Sequence, residues 1–250
     1  MLQINLNSLS DVELKDLAEA LHVLDERHKY NKQEFLWPQY QKPGYDKHLL
    51  FFSVGKLYKE RALIAGNRTG KTYLASTEMS YHLNGRYPEV WEGKKFSKPI
   101  EAWSVGKTHD TTREILQKYL IGNRYDVGTG MIPKEDIVRV TSKPGCQDAI
   151  QDVYVKHYTE GVYDGLSHCE FKSYVQGVDS FMGATMDVIH LDEEPTSPQI
   201  YGECLLRTMT TKGIIFCTFT PKLGLTDTVL SFLPGGKFPA GGCGPVGDAR

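Results

Sequence analysis

Residues 63–76 read LIAGNRTGKTYLAS, and this stretch decides how the rest of the chain is interpreted. The apolar run ALIA, residues 62–65, precedes a glycine-bearing loop, and the residues from Lys71 to about Leu83 favour a helix. A strand, a glycine-bearing loop and a helix form the setting in which a G-x-x-x-x-G-K-[ST] pattern binds phosphate. Backbone N–H groups of such a loop and the N-terminus of its helix face an anion. The sequence therefore predicts a nucleotide phosphate site here.

Two residues of this loop have predicted roles of their own. Lys71 would reach the β- and γ-phosphates, and the Thr72 hydroxyl would be a ligand of Mg²⁺. The predicted nucleotide-binding residues of the loop are Ala65, Gly66, Asn67, Arg68, Thr69, Gly70, Lys71 and Thr72. Ala65 stands where the pattern has its first glycine, so we expect a slightly different entry to the loop. A chance GKT in a turn is the alternative, and the strand–loop–helix setting argues against it.

A second candidate site follows the apolar strand DVIHL, residues 187–191. Asp192, Glu193 and Glu194 come directly after it. A nucleotide hydrolase needs one carboxylate beside its Mg²⁺ and another that aligns the attacking water. We predict that Asp192 contacts the metal and that Glu193 is the base or water-orienting group, with Glu194 as a less favoured neighbour. The alternative is a solvated acidic turn, which does not explain why the acids follow a buried strand so abruptly.

Periodicity and turn residues predict the remaining elements. These are helices at residues 10–29, 48–59, 71–83 and 109–121, strands at 62–65, 101–105, 187–191 and 213–219, a β-hairpin within 148–175, and an ordered loop at 33–47. Ser10 and Glu13 form a capping box at the start of the first helix. Mostly alternating strands and helices imply an α/β fold with a parallel central sheet, helices on both faces and an added hairpin. Ligands bind at the carboxyl ends of parallel strands, so Thr218 and Thr220, in TFTP, are candidates for sensing the γ-phosphate.

Composition limits the class of protein. The chain has 250 residues, with 29 Lys and Arg against 31 Asp and Glu, so any nucleic-acid contact must be a local patch. Its 5 cysteines include no C-x-x-C pair, which argues against a disulfide framework or a zinc site and favours a reducing compartment. An apolar run of about 20 residues and a signal-peptide pattern are both missing from the sequence, so we expect neither a membrane protein nor a secreted one.

With these segments placed, roughly residues 30–230 resemble the ATPase domain of the large terminase subunit of tailed bacteriophages. This domain is the motor that packs DNA into a procapsid. The resemblance is carried by AGNRTGKT, EAWSVG, SYVQGVDSFMGATMDVIHLDEEP and GIIFCTFTPKLGLT. It implies a P-loop NTPase fold of the RecA-like (ASCE) type, with ATP and Mg²⁺ as cofactors. It also implies Mg²⁺-dependent ATP hydrolysis that drives translocation of double-stranded DNA.

The resemblance implies roles for further residues. The loop and acid-strand residues named above match the Walker A and Walker B motifs, and Arg68 matches a basic residue that acts on the phosphates in cis. Thr218 to Pro221 match the motif that couples hydrolysis to movement. Gln39 or Gln41, in FLWPQYQKP, would match a glutamine that recognises adenine, although either one can equally be an ordinary loop residue.

Partners and domains follow from the same resemblance. The expected partners are double-stranded DNA, the terminase small subunit and the portal protein of the procapsid, on which the chain would form a homo-oligomeric ring in the host cytoplasm. We expect a helical segment at residues 1–32, an ATPase domain at 33–233 and a Gly/Pro-rich, flexible tail at 234–250. Terminase large subunits usually continue into a nuclease domain, and the sequence stops soon after the coupling motif, so we expect no nuclease domain in this chain.

Some questions stay open at the level of sequence. The candidates for a trans-acting arginine are Arg113, Arg124, Arg139 and Arg207, each of which can equally be an ordinary surface arginine. The lysines of a small basic loop, which would either touch DNA phosphates or simply be solvated, are Lys94, Lys95 and Lys98. Alternative functions are a helicase or repair ATPase, a truncated nucleotide-binding or assembly module that does not hydrolyse ATP, and a small-molecule kinase. A small-molecule kinase would share the phosphate loop, but that function does not explain LDEEP and TFTP on later strands.

Overall fold

The structure is a computed structural model that describes residues 10–222, 224 and 226–233. Its strands are β1 (Glu60–Ile64), β2 (Glu101–Gly106), β3 (Gly122–Asn123), β4 (Asp126–Val127), β5 (Ile137–Ser142), β6 (Ile150–Thr159), β7 (Val162–Ser173), β8 (Val188–Asp192) and β9 (Ile214–Phe219). Its α-helices are α1 (Asp11–Tyr30), α2 (Lys32–Tyr40), α3 (Asp46–Val54), α4 (Lys71–Asn84), α5 (His109–Thr111), α6 (Lys118–Leu120), α7 (Pro198–Met209) and α8 (Asp227–Ser231). The predicted tail at 234–250 lies outside the described residues.

A mostly parallel sheet forms the centre of the fold, as predicted. Its strand order is β1-β9-β8-β2-β7-β6-β5, and the pairs from β1 to β7 are all parallel. The predicted hairpin, β6 and β7, is part of this sheet because β7 pairs in parallel with β2. The sequence analysis did not predict β5, which pairs antiparallel with β6 at the edge of the sheet.

Two apolar cores cover the two faces of the sheet. Successive side chains of a strand point to opposite faces, so β9 contributes Phe216 to one core and Cys217 to the other. Leu74 and Met79 of α4 pack in the first core, and Ile200 of α7 packs in the second. The helices therefore lie on both sides of the sheet, which confirms the predicted α/β class.

The predicted loop at 33–47 is wrong over its first part, where α2 forms. The Asn31 side chain accepts a hydrogen bond from the Glu34 amide at 3.4 Å and caps the helix. Leu36 and Tyr40, one helical turn apart, are both buried. This packing offsets the unfavourable position of Pro38 inside the helix. The next helix, predicted at 48–59, is α3, which begins and ends earlier.

The predicted capping box begins α1, yet most of this helix is exposed. The Ser10 amide donates to a Glu13 carboxylate oxygen at 2.8 Å, and the Glu13 amide donates to the Ser10 hydroxyl at 3.4 Å. Leu21 and Leu24 on the same helix are 57% and 53% exposed. Near its end, α1 is joined to α2 by the ion pair between Arg27 and Glu34. Within the described ranges, no helix combines the length and apolar character required to cross a membrane.

The His168 ring joins three strands and should make stability depend on pH. It lies 2.7 Å from a Glu101 oxygen on β2 and 2.9 Å from an Asp152 oxygen on β6. The hydrogen bond with Glu101 is the main reason that the pKa of His168 is raised. Its stabilising contribution is therefore complete below the pKa of about 6.5 in the unfolded chain and is lost as pH rises through the folded-state pKa.

We expect His168→Gln to remove this dependence. The free energy of unfolding should fall by about 1 kcal/mol at pH 5.5 and by less at pH 8.5. Urea unfolding of both proteins across this range measures the difference, with His22→Gln on exposed α1 as the control. An equal loss at both pH values would mean that His168 contributes only as a neutral side chain.

Candidate functional site

The predicted site residues meet at the carboxyl ends of three neighbouring strands of the sheet. Because β9 lies between β1 and β8, the carboxyl ends of these three strands are neighbours. The loop 65–70 leaves β1, Asp192 ends β8, and Thr218 lies near the end of β9. Asp192 and Thr218 are directly paired across the two strands. The sheet order therefore brings together segments that are more than 100 residues apart in sequence.

Gly70 forms the junction between the loop and α4. It adopts the left-handed conformation with φ 81°, and a Cβ there would lie 3.2 Å from a His48 ring carbon. The start of α4 has no side-chain cap, so its first N–H groups do not bond to a capping side chain. Such N–H groups and the helix dipole attract an anion. The predicted strand–loop–helix arrangement for phosphate is present.

The Lys71 ammonium group lies over its own loop. Its Nζ donates to the Gly66 carbonyl at 2.6 Å, to the Ala65 carbonyl at 3.0 Å and to the Thr220 hydroxyl oxygen at 3.1 Å. Partial burial lowers the pKa of Lys71. A phosphate at the loop would compete with these oxygens for the ammonium group.

Asp192 is the most deeply buried acid of the site. Thr218 donates to its Oδ1 at 2.8 Å, and Thr72 donates to the same oxygen at 3.3 Å. Burial raises the pKa of Asp192 to about 6, and the two hydroxyl donors limit that rise. Carboxylate and hydroxyl oxygens are ligands that Mg²⁺ accepts. Thr72 and Asp192 therefore have the chemistry and the proximity that a magnesium site needs.

Behind Asp192, His190 extends this hydrogen-bond chain. The Thr218 hydroxyl proton points to Asp192, so we assign the proton of the 2.8 Å contact between His190 Nε2 and Thr218 to the histidine. Burial lowers the pKa of His190 to about 3, which keeps the ring neutral. The ring also stacks on Phe216, with 5.0 Å between the ring centroids. His190 is thus a packed histidine that orients Thr218.

Glu193 and Glu194 point to different partners. Lys222 lies 3.4 Å from a Glu193 carboxylate oxygen, at an exposed position. Glu194 instead accepts a hydrogen bond from the Thr226 hydroxyl. Glu193 is therefore the acid that lies beside the TFTPK segment, whereas Glu194 is tied to the start of α8.

Thr220 joins the end of β9 to the phosphate loop. Its hydroxyl oxygen lies 2.9 Å from the Ala65 carbonyl and 3.0 Å from the Asn67 side-chain oxygen, in addition to its contact with Lys71. Each of the two threonines of TFTP therefore touches one part of the site. Thr218 bonds to the acid strand, and Thr220 bonds to the loop.

The structure separates the two candidate glutamines. Gln39, on α2, accepts a hydrogen bond from the Tyr73 hydroxyl at 3.4 Å, and both residues line a cavity of about 360 Å³. Tyr73 directly follows Thr72 in the sequence, whereas the loop residues 65–72 are not among those that line this cavity. Gln41 is exposed after the end of α2 and is not among the residues that line the cavity.

Several candidate cations already have other partners or no contact with the site. Arg113 pairs with Asp110 and Glu114, Arg207 pairs with Glu203, Arg139 lies over the Tyr154 ring, Lys94 donates to the Lys212 carbonyl, and Lys98 pairs with Asp187. Asp187 directly precedes β8 and Lys212 lies just before β9, so Lys94 and Lys98 lie at the amino ends of these strands, away from the loop. Arg68 is exposed in the loop with φ 62°.

Comparisons with known proteins place this chain in a family. Residues 62–239 match the family described as "Terminase large subunit, T4likevirus-type, N-terminal". The chain therefore belongs to the terminase large subunit family of phages. It is 36% identical over 244 residues to the large terminase subunit of Salmonella phage P22, covering 91% of this chain and 48% of that protein. The chain thus spans about half the length of this relative.

A solved structure supports the fold. The large terminase ATPase domain of Thermus phage P74-26 matches with a TM-score of 0.51 and 20% sequence identity. The match covers 76% of this chain and 73% of that domain. At this identity the likeness establishes the shared fold, which is the predicted parallel sheet flanked by helices.

The burial of Asp192 should cost stability, and this cost can be measured. Because its pKa is raised to about 6, the folded state loses stability as pH rises from about 4 to 6, and the loss persists above pH 6. We therefore expect Asp192→Asn to increase the free energy of unfolding by about 2–3 kcal/mol at pH 7.5 and to change it little at pH 4. Thermal or urea unfolding without Mg²⁺ is the measurement. The exposed Asp179→Asn is the control, and a destabilised Asp192→Asn protein at pH 7.5 would contradict the expectation.

Proposed function

We propose that this chain hydrolyses ATP in a Mg²⁺-dependent reaction that drives double-stranded DNA into a viral procapsid. The observation that carries the proposal is the placement of Thr72 and Asp192, with oxygens 3.3 Å apart, beside Lys71 at the N-terminus of α4. An anion-binding helix end, an ammonium group and a pair of oxygen ligands are the parts that phosphoryl transfer requires. Membership of the terminase family supports the proposal that hydrolysis drives DNA packaging.

The residues divide the chemistry among themselves. Lys71 and the loop amides would bind the β- and γ-phosphates, and Thr72 and Asp192 would hold Mg²⁺ in place. When bound, Mg²⁺ offsets the charge that develops on the phosphate oxygens. Glu193 would orient the attacking water or accept its proton. Arg68, exposed in the loop, would add a second positive charge in cis.

The two threonines at the carboxyl end of β9 would respond to the nucleotide. Thr218 bonds to Asp192, and Thr220 bonds to the loop and to Lys71, so both would respond when phosphate or metal engages these groups. We infer that this is how hydrolysis is coupled to movement. The threonines would act by changing hydrogen-bond partners rather than by touching DNA.

The assembly also belongs to the proposal. We propose the terminase small subunit and the portal protein as partners and a homo-oligomeric ring as the working form, with the trans-acting arginine supplied by a neighbouring copy. The division into residues 1–32, 33–233 and 234–250 stays a prediction. The comparisons give no support to a helicase, a repair ATPase, a kinase or a module that does not hydrolyse ATP.

Phosphate release from ATP tests the hydrolytic site directly. We expect Lys71→Ala and Glu193→Gln each to reduce turnover by at least 100-fold, because they remove a charge contact and the water-orienting carboxylate. Lys71→Ala should also weaken ATP binding, whereas Glu193→Gln should leave binding intact. A concentration series adds a test of trans activation, since the rate per subunit should rise as copies associate.

Two matched controls make this experiment specific. Glu194→Gln removes the adjacent acid, which bonds to Thr226, and Lys56→Ala removes an exposed lysine. Both should keep turnover within about twofold of wild type. Turnover that survives Lys71→Ala would overturn the proposed site, and loss in Glu194→Gln but not in Glu193→Gln would exchange the roles of the two acids.

Gln39 should contribute to recognition of the base. Because Gln39 bonds to Tyr73, the residue after Thr72, and lines a cavity with it, we expect Gln39→Ala to weaken ATP binding by about 3- to 10-fold and to reduce the preference for ATP over GTP. Gln41→Ala, at the exposed end of α2, is the matched control and should bind both nucleotides as wild type does. Calorimetric titration measures both affinities. If only Gln41→Ala weakened nucleotide binding, the base would have to bind at another surface.

A further inference from the structure

The backbone of Glu193 has an unusual conformation. Its φ is 64°, in the left-handed region that residues with a Cβ disfavour. Such a conformation persists where the surroundings fix it, and it is frequent at functional sites. Glu193 directly follows β8, so this turn of the chain determines the direction in which its carboxylate leaves the sheet.

Two hydrogen bonds fix both polar groups of this residue's backbone. The Glu193 amide donates to the Thr218 carbonyl at 2.9 Å, which extends the pairing between β8 and β9. The Glu193 carbonyl accepts a hydrogen bond from the Tyr174 hydroxyl at 2.9 Å. The first bond comes from the sheet, whereas the second comes from a side chain 19 residues earlier in the sequence.

Tyr174 is well placed to hold this carbonyl. Its side chain is 2% exposed and packs in the same apolar core as Phe181. Burial raises the pKa of the Tyr174 hydroxyl, so the group keeps its proton and remains a donor. Its backbone lies in the short 3-10 turn after β7, where the Ser173 amide donates to the Gln176 side chain at 2.8 Å. Ring, hydroxyl and backbone are therefore each held in place.

We propose that Tyr174 is a positioning residue that holds the Glu193 backbone in its left-handed turn and thereby aims the Glu193 carboxylate at the nucleophilic water. This inference rests on the proposed role of Glu193. Among the residues that the structure describes, the Tyr174 hydroxyl bonds to the Glu193 carbonyl and not to the phosphate loop, so it acts through Glu193. A misdirected carboxylate slows the chemical step, whereas phosphate and metal contacts by Lys71 and Thr72 remain.

Tyr174→Phe tests the proposal because it removes the hydroxyl and keeps the ring. We expect kcat for ATP hydrolysis to fall about tenfold, while KM and the directly measured ATP affinity stay within twofold. Tyr201→Phe is the matched control, since it removes a hydroxyl that bonds to Glu60 at 2.6 Å beside the same core. That variant should keep the wild-type kcat.

Hydrogen exchange of the segment 187–194 gives a readout that does not depend on activity. Without the Tyr174 hydroxyl, this segment should exchange faster than in wild type, whereas the rest of the sheet and the melting temperature change little. Tyr201→Phe should leave exchange of 187–194 unaltered.

The outcomes separate the two proposals. A wild-type kcat in Tyr174→Phe, an equal loss in Tyr201→Phe, or a protein that fails to fold would overturn the positioning role, the last because the hydroxyl would then be a requirement of the fold. If Glu193→Gln keeps wild-type turnover, the proposed function of Glu193 fails instead. The exchange of 187–194 in Tyr174→Phe would still show whether Tyr174 holds this backbone.

Discussion

The site depends on one feature of the sheet, which is that β9 lies between β1 and β8. Parallel pairing with both neighbours places Ile64 opposite Phe219 and Asp192 opposite Thr218. The carboxyl ends of the three strands therefore stay in a fixed register. This register brings the loop, the acids and the threonines, which come from distant parts of the sequence, together at the carboxyl ends of the strands.

The phosphate loop is anchored on both sides. Arg61, on the strand before it, donates to the two carboxylate oxygens of Glu78 at 2.7 and 3.2 Å, and Glu78 lies on the helix after it. Both side chains are buried, and His82 lies 3.2 Å from the same carboxylate. Removing one member of a buried pair leaves an uncompensated charge, which costs about 3–5 kcal/mol. The pair thus ties β1 to α4, so that the loop spans a gap of fixed width.

The sequence predicted the strands, loop and helix that carry the candidate site better than it predicted the elements around them. A strand, a GKT loop and an acidic strand end are local patterns, and each keeps its meaning whatever packs around it. Helix α2 was missed, and a loop was predicted in its place, because Pro38 and nearby loop-forming residues outweighed Leu36 and Tyr40. The burial of Leu36 and Tyr40 exists only in the folded protein. Tyr174 carried no signal at all, since its importance lies in one hydroxyl that meets a backbone carbonyl distant in sequence.

The hydrogen bonds of Lys71 bear on the proposed link between nucleotide binding and movement. One ammonium group has three donors, and here they serve the Ala65 and Gly66 carbonyls and the Thr220 hydroxyl. Each bond given to a phosphate oxygen must be taken from one of these three. Because Thr220 directly follows β9 and also touches Asn67, a phosphate that draws Lys71 away would change the contacts between the loop and the end of β9. The lysine that we propose binds the substrate therefore already holds the loop to the segment that follows β9.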